Sequence, residues 1–383
     1  MRQKIKVAVA GIGNCASALI QGINFYRTNN SDNIPGIMFA DIGGYRPANI
    51  EFVAAFDIDQ RKVGLPLSQA IFAPPNCARI FQQEIQEQCT VQLGPILDGV
   101  APHMESCHDT INFKPSRGEP VDVTRVLIDR EVDILINYMP VGSEQATAYY
   151  AQTALDAGVA FLNCIPVFIA SDPVWEQKFI EAGLPLIGDD MRSQFGASYF
   201  SQILQEGLFD RGHQVLFHCQ TNVGGNTDFA NMIDQSRLAS KKISKENVIR
   251  AQNDLRDIPV PKDGIYAGPS SFIPYLEDNK IANIRVEALG FGGAPLTIDA
   301  KLSVQDSENS AGVVIDAIRY LQVAREMNIV GALRGPSAWT QKTPPEQMMN
   351  ADARLECEAL AKREYTDLTF NQVAASEQKR QLI

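Results

Sequence analysis

The sequence predicts an α/β protein: a parallel sheet with crossover helices, carrying an inserted α+β sheet domain. Three observations lead there. Strand and helix patterns alternate through the first half of the chain. The first strand pattern, Ile5-Lys6-Val7-Ala8-Val9-Ala10, runs directly into a glycine-rich turn that opens an apolar helix. Beyond Gln214 the pattern changes, and Leu296 to Val304 alternates apolar with polar residues, as a half-buried antiparallel strand does.

The turn after the first strand reads Gly11-Ile12-Gly13-Asn14-Cys15-Ala16, and the helix continues through Ile23. This is the G-x-G-x-x-G/A pattern of a Rossmann-like dinucleotide site. The first glycine makes the turn, the second lets backbone approach a pyrophosphate, and the small third residue lets helix pack on strand. Phe52 to Phe56 reads as the second strand, and Asp57 at its end is the acid expected to hold ribose hydroxyls. Asp41 is closer to the turn, but it lies in a loop-like insertion from Arg27 to Asn49. A second insertion, residues 65–120, is proline-containing and without clean periodicity. Val132 to Asn137 is the next strand, with Tyr138 to Ser143 as the loop at its ligand-facing end. Ser143 is either the N-cap of a helix from Glu144 to Ala157 or a cofactor contact. Val159 to Leu162 and Pro185 to Ile187 read as further strands, which brings Asp189 and Asp190 to the same sheet edge. Ile281 to Leu289 is a second antiparallel candidate, Ser310 to Asn328 an amphipathic helix, and the tail is helical and charged.

Composition narrows the function. The 383 residues are enough for two domains with their own cores, and 45% hydrophobic with 21% charged residues is ordinary for a globular protein. A net charge of -11 argues against binding nucleic acid or anionic membrane, because either partner requires a basic field. Seven cysteines without a C-x-x-C pair argue against a complete disulfide framework, so a cytoplasmic setting is expected. The most apolar run, Val159 to Ala170, is short and contains Asn163 and Pro166, so neither secretion nor a membrane span is expected.

Three polar segments carry the chemistry: Gly188 to Gln194, Asn222 to Asp228, and Ser240 to Lys245. Lysines beside carboxylates and amides can bind phosphate, hold an oxyanion and move protons on one sugar-sized ligand. Each segment also has a plain structural reading. Lys241 and Lys245 on one helix face would repel by roughly 0.2–0.5 kcal/mol, unless Ser244 caps a new helix there. Gly224-Gly225 serves equally as a bare turn flanked by capping Asn222 and Asp228, and Asp189-Asp190 as a surface turn. His103, Cys107, His108 and Asp109 follow no zinc-ligand spacing, and no metal site is expected.

Taken with Gly11 to Cys15 and Ala55 to Asp59, several further blocks resemble the myo-inositol-1-phosphate synthase family in its short prokaryotic form. They are Asn137 to Glu144, Ile165 to Ala170, Gly188 to Asp190, Asn222 to Asp228, Ser240 to Lys245, Asp306 to Asp316 and Ser337 to Gln347. The resemblance implies an NAD-dependent isomerising cyclase that turns glucose 6-phosphate into inositol phosphate. Its route is oxidation at carbon 5, enolisation at carbon 6, closure onto carbon 1, and re-reduction. It implies active-site roles for Lys241, Lys245, Lys280, Lys342, Asp190, Asn222 and Asn226, with Lys241 and Lys342 moving protons while Lys245 and Lys280 hold phosphate or oxyanion charge. It implies cofactor contacts at Gly11, Gly13, Asn14, Cys15, Asp57, Asn137, Val141, Gly142, Ser143, Asp190, Ser193, Asp228, Asp306 and Ser307. It further implies a homotetramer assembled through a middle domain at residues 201–305, between a cofactor-binding part at 1–200 and a returning segment at 306–383. A cation requirement stays open.

The chain departs from the family pattern at Arg192, where lysine is usual, at Ser198-Tyr199-Phe200-Ser201, where many relatives have threonine, histidine and arginine, and at Ser270-Ser271-Phe272, which lacks an aspartate. These departures keep a paralogue acting on another phosphosugar, such as fructose 6-phosphate, beside the main expectation. A noncatalytic NAD-binding regulator and a simple dehydrogenase fit less well, because neither requires so dense a lysine set.

Overall fold

The computed structural model describes residues 4–28, 33–234, 239–261 and 263–364. The first half alternates strand and helix: β1 (Ile5–Ala10), α1 (Asn14–Arg27), β2 (Ile50–Asp57), α2 (Leu67–Ala70), β3 (Val91–Leu93), α3 (Val123–Asp129), β4 (Ile134–Asn137), α4 (Glu144–Ala157), β5 (Ala160–Asn163), α5 (Pro173–Glu181) and β6 (Pro185–Ile187). There follow α6 (Ala197–Asp210), β7 (Gln214–Gly224), α7 (Thr227–Asn231), α8 (Ala239–Asp254), β8 (Ile265–Phe272), β9 (Asn279–Leu289) and β10 (Pro295–Gln305). The chain then returns through α9 (Asp306–Glu326), β11 (Gly331–Ala332), α10 (Arg334–Thr340) and α11 (Asn350–Ala361).

The first sheet has seven strands in the order β11-β6-β5-β4-β1-β2-β3, and every pairing is parallel. β4 and β5 are buried along their whole length, which explains their uninterrupted apolar runs. The strand order reverses at β1, which lies between β2 and β4. That reversal opens a crevice at the carboxyl ends of the strands. β3 lies inside the proline-containing insertion, and its three residues are too few to leave a periodic signature.

The second sheet has four strands in the order β10-β9-β7-β8. Its β10-β9 and β9-β7 pairs are antiparallel and its β7-β8 pair is parallel. Ala282, Ile284, Val286 and Ala288 of β9, with Leu296, Ile298, Ala300 and Leu302 of β10, cluster with Ala197, Phe200, Leu204 and Leu208 of α6. The intervening residues of β10 are exposed, and this produces the alternation seen in the sequence.

The helix expected at Ser310 to Asn328 begins four residues earlier, at Asp306, and it is not a surface amphipathic helix: Ser310 to Leu321 are all buried. It packs in the core with α1 and the sheet, and the 33–49 insertion lies over it. Buried Arg319 reaches the carbonyls of Phe39 (2.9 Å), Ala40 (3.2 Å) and Tyr45 (3.2 Å). It also pairs with Asp316, which accepts the Met38 N–H at 2.9 Å. A buried ion pair with this many additional hydrogen bonds offsets its own desolvation and ties the insertion to the core.

Candidate active site

At the β1–α1 turn, Gly11 has φ +94°, and a Cβ there would lie 2.6 Å from the Tyr138 carbonyl oxygen. Only glycine fits that conformation and that approach. Gly13 caps α1 without a side-chain bond, and a Cβ there would meet nothing within 4 Å. Asp57 stands at the end of β2 and accepts the Ile12 N–H at 2.7 Å through Oδ2, while Oδ1 accepts Ile58 and Asp59 N–H. A partly buried helix N-terminus without a side-chain cap, open space at the second glycine, and a carboxylate on the neighbouring strand fit a dinucleotide. Asn14 lines the same cleft, but its amide is engaged with Cys77 N–H at 2.9 Å.

Across the cleft, Asp190 receives hydrogen bonds from Lys342 Nζ (2.8 Å) on Oδ1 and from Ser244 Oγ (2.6 Å) on Oδ2. Lys342 also donates to the Met191 carbonyl at 2.8 Å, and Thr343 Oγ1 donates to Ser244 at 2.9 Å. Ser244 does not cap a new helix: α8 runs unbroken through it, and its hydroxyl leaves the helix for Asp190. Lys241 and Lys245 therefore share one helix. Lys245 is 9% exposed and lines the cleft, whereas the side chain of Lys241 is outside the described residues. Asp189 is no surface turn. It is buried and accepts five hydrogen bonds, from Asn163, Ile169, Ala170 and the backbone and hydroxyl of Ser171. Burial raises its carboxyl to about 6, opposed by those donors, and it holds the 165–171 loop rather than facing ligand.

A third group gathers at the start of α9. Lys280 pairs with Asp306, and the Asn226 amide reaches Asp278 at 3.3 Å and Asp306 at 3.4 Å. Asp278 accepts the Ser307 N–H (2.9 Å) and hydroxyl (2.7 Å), so it caps α9 from outside the helix. Burial, and then the Asp306 charge, push its carboxyl up to about 7. Cys15 is pushed up to about 12, first by burial and then by Asp306, Asp278 and Asp228, so it is a neutral thiol. Asn226 also caps α7, accepting the Phe229 N–H at 3.2 Å. Asn222 lies within β7, where it donates to the Gly268 carbonyl at 3.0 Å rather than flanking a turn as a cap.

One cleft thus gathers most of the sequence-derived residues. Gly11, Gly13, Asn14, Cys15, Asp57, Val141, Asp190, Ser193, Asn222, Asn226, Asp228, Lys245, Lys280, Asp306, Ser307 and Lys342 all line it. Asn137, Gly142 and Ser143 are not part of its lining. Asn137 is buried beneath the loop, bonded to Thr147, Asn163 and the Met139 N–H. Ser143 precedes α4, but its hydroxyl turns back to the Pro140 carbonyl at 2.5 Å, and Asp98 caps the helix instead through Gln145 N–H (2.7 Å) and Ala146 N–H (3.0 Å). Arg192 is buried away from the cleft, reaching Gln202 at 3.1 Å and Asn350 at 3.4 Å. Ser198 and Tyr199 do line it, with Tyr199 packed edge-on against Trp339 and Phe195. Sequence reasoning missed Asp98, Asp278 and Lys62, and no local pattern marks the first two. Lys62 lies five residues beyond Asp57 and lines the cleft.

The myo-inositol-1-phosphate synthase family model matches residues 196–307. The chain is 45% identical over 360 residues to the inositol-3-phosphate synthase of Corynebacterium glutamicum, covering 93% of this chain and 97% of that protein. The crystal structure of Ari2 superposes with TM-score 0.74 at 32% identity, covering 94% of this chain and 99% of that one. A myo-inositol-1-phosphate synthase-related protein from Thermotoga maritima shares the fold, with TM-score 0.77 at 21% identity over 94% of this chain and 98% of that one. With the dinucleotide turn, the lysine and carboxylate groups and a full-length relative of this identity all in agreement, the chain belongs to the inositol-3-phosphate synthase family, whose members are intramolecular lyases.

Proposed function

We propose that this enzyme converts glucose 6-phosphate to inositol phosphate with NAD as a recycled oxidant. The observation that carries the reading is the convergence of Lys245, Lys280, Lys342 and Asp190 with the dinucleotide turn in one cleft. When bound, NAD would supply a reversible hydride acceptor for carbon 5. Gly11, Gly13, the α1 N-terminus and Asp57 would hold it. Lys342, with the Asp190–Ser244–Thr343 chain behind it, exchanges the carbon 5 hydroxyl proton with the help of Lys241, and the same pair handles the proton lost from carbon 6. Closure then joins carbon 6 to carbon 1 and leaves negative charge on the former aldehyde oxygen. Lys245 and Lys280 hold that charge and the phosphate, since fixed ammonium groups stabilise developing oxyanions better than mobile water. Asn222 and Asn226 orient the sugar, and Asp306, Ser307, Asp228 and Ser193 face the cofactor. Asn137, Gly142 and Ser143 support the loop that carries Val141.

Further parts of the reading are a cytoplasmic homotetramer built on the open face of the four-stranded sheet, and a division at residues 200 and 305. Among the described residues no helix is long and apolar enough to cross a membrane. A second reading, a paralogue acting on another phosphosugar such as fructose 6-phosphate, rests on Ser198 and Tyr199, which depart from the family pattern and line the cleft. The test incubates purified protein and NAD with each sugar phosphate, resolves products by NMR and follows NADH. Inositol phosphate from glucose 6-phosphate without net NADH supports the main reading. A different cyclitol phosphate, or turnover of fructose 6-phosphate alone, supports the second. Net NADH accumulation refutes both.

A further inference from the structure

The dinucleotide turn is gripped from both sides at a single residue. Ile12 gives its N–H to Asp57 Oδ2 at 2.7 Å, and its carbonyl accepts from Lys62 Nζ. Lys62 is 1% exposed and donates a second hydrogen bond to the Pro75 carbonyl at 3.2 Å. Two carbonyls are poor compensation for a buried ammonium, which requires charge as well as acceptors. That charge comes from Asp57 and Asp59, which oppose the downward push of burial on the Lys62 ammonium. A methionine would fill the same space without this cost, so the packing alone does not account for a lysine.

The geometry of the peptide supplies the reason. In a trans peptide the C=O and the following N–H point in opposite directions. Anchoring the Ile12 carbonyl on Lys62 therefore turns the Gly13 N–H away from Lys62, and Gly13 is the residue bordered by open space. Asp57 fixes the preceding peptide plane and Lys62 the following one, so both planes around Ile12 are held by the protein's own charged groups. The ammonium also adds a positive charge behind the turn, in a water-poor setting where charge is weakly screened. We propose that Lys62 is a positioning residue that presets the dinucleotide turn for the cofactor pyrophosphate, acting through the Ile12–Gly13 peptide. This rests on the cofactor assignment made under the proposed function.

The test titrates wild type, Lys62→Met and Lys62→Gln with NAD, ADP-ribose and adenosine by calorimetry, with a ligand-free thermal melt for each protein. Lys62→Met is expected to lose roughly 10- to 100-fold affinity for NAD and ADP-ribose, the worth of a charged hydrogen bond, and to bind adenosine as wild type does. Lys62→Gln keeps a donor without the charge and is expected to lose less; it carries the test if the methionine variant does not fold. Unchanged NAD and ADP-ribose affinity in a folded variant overturns the proposal, and so does an equal loss for adenosine, which would mark general damage to the pocket. Failure of wild type to bind NAD or ADP-ribose instead overturns the cofactor reading, and leaves Lys62 nothing to position.

Discussion

Replacing Lys342 with methionine removes the ammonium from a nearly buried pair: Asp190 is 4% and Lys342 14% exposed at the side chain, with 2.8 Å between Nζ and Oδ1. Breaking such a pair from one side leaves a carboxylate short of its counter-charge, which costs about 3–5 kcal/mol. Asp190 keeps the Ser244 hydroxyl at 2.6 Å, and Lys342 is partly solvated, so the expected loss is about 3 kcal/mol, the low end of that range. Asp190→Asn removes the charge that Lys342 balanced, and the double variant is expected to recover part of the loss, with a coupling energy of about 1–3 kcal/mol. Catalysis should not recover, because the amide returns no titratable group. Urea denaturation of wild type, both single variants and the double variant measures the coupling, and product NMR measures turnover, expected to fall at least roughly 100-fold in each variant. Coupling below about 0.5 kcal/mol would show that the pair is not an energetic unit. Wild-type turnover in Lys342→Met would remove Lys342 from the chemistry.

Gly11→Ala places a methyl group against the Tyr138 carbonyl at φ +94°, with about 1–2 kcal/mol for the left-handed backbone alone. Thermal melting should register that loss and calorimetry a weakened NAD titration, while unchanged NAD affinity would mean the turn tolerates displacement. Asp98→Ala removes two hydrogen bonds from the start of α4 and should cost about 1–2 kcal/mol in urea denaturation; Ser143→Ala, whose hydroxyl bonds only locally, should cost less. The Asp278 carboxyl, raised from 3.8 to about 7 when folded, keeps a proton that the unfolded chain releases. Its contribution therefore favours folding below the folded value and fades as pH rises towards it, with a limiting slope of about 1.4 kcal/mol per pH unit. Asp278→Asn should accordingly shrink the stability difference between about pH 5 and about pH 8 in urea denaturation. An unchanged difference would mean that Asp278 titrates normally.

Local patterns carried much of the architecture. Strand-turn-helix at Ile5 to Ile23, the run into Asp57, the buried strands at 134 and 160 and the alternation along β10 each follow from a period and a breaker within a few residues, which is the range over which backbone geometry and one-sided burial leave a mark. The lysine and carboxylate segments were visible as residue types and as family-like blocks, but their partners were not. Asp190 meets Lys342 at a sequence separation of 152 and Ser244 at a separation of 54. Asp278 was silent in the sequence because its capping of α9 spans two strands. Asp98 displaced Ser143 as a helix cap for the same reason: a proline-containing loop returned a carboxylate to a helix start that already had a plausible local cap.

By itself, then, the sequence determined the fold class, the glycine-rich turn with its acid on the next strand, the family and the acidic net charge. These depend on periodicity, composition and residues close together in the chain. Only the tertiary structure decided that α9 is a core helix rather than a surface one, that Arg192 turns away from the cleft while Tyr199 faces it, and that Lys62 and Asp57 grip the turn from opposite sides. Burial and ion pairing are set by what folding brings alongside a residue, and a chain read in order does not contain that information locally.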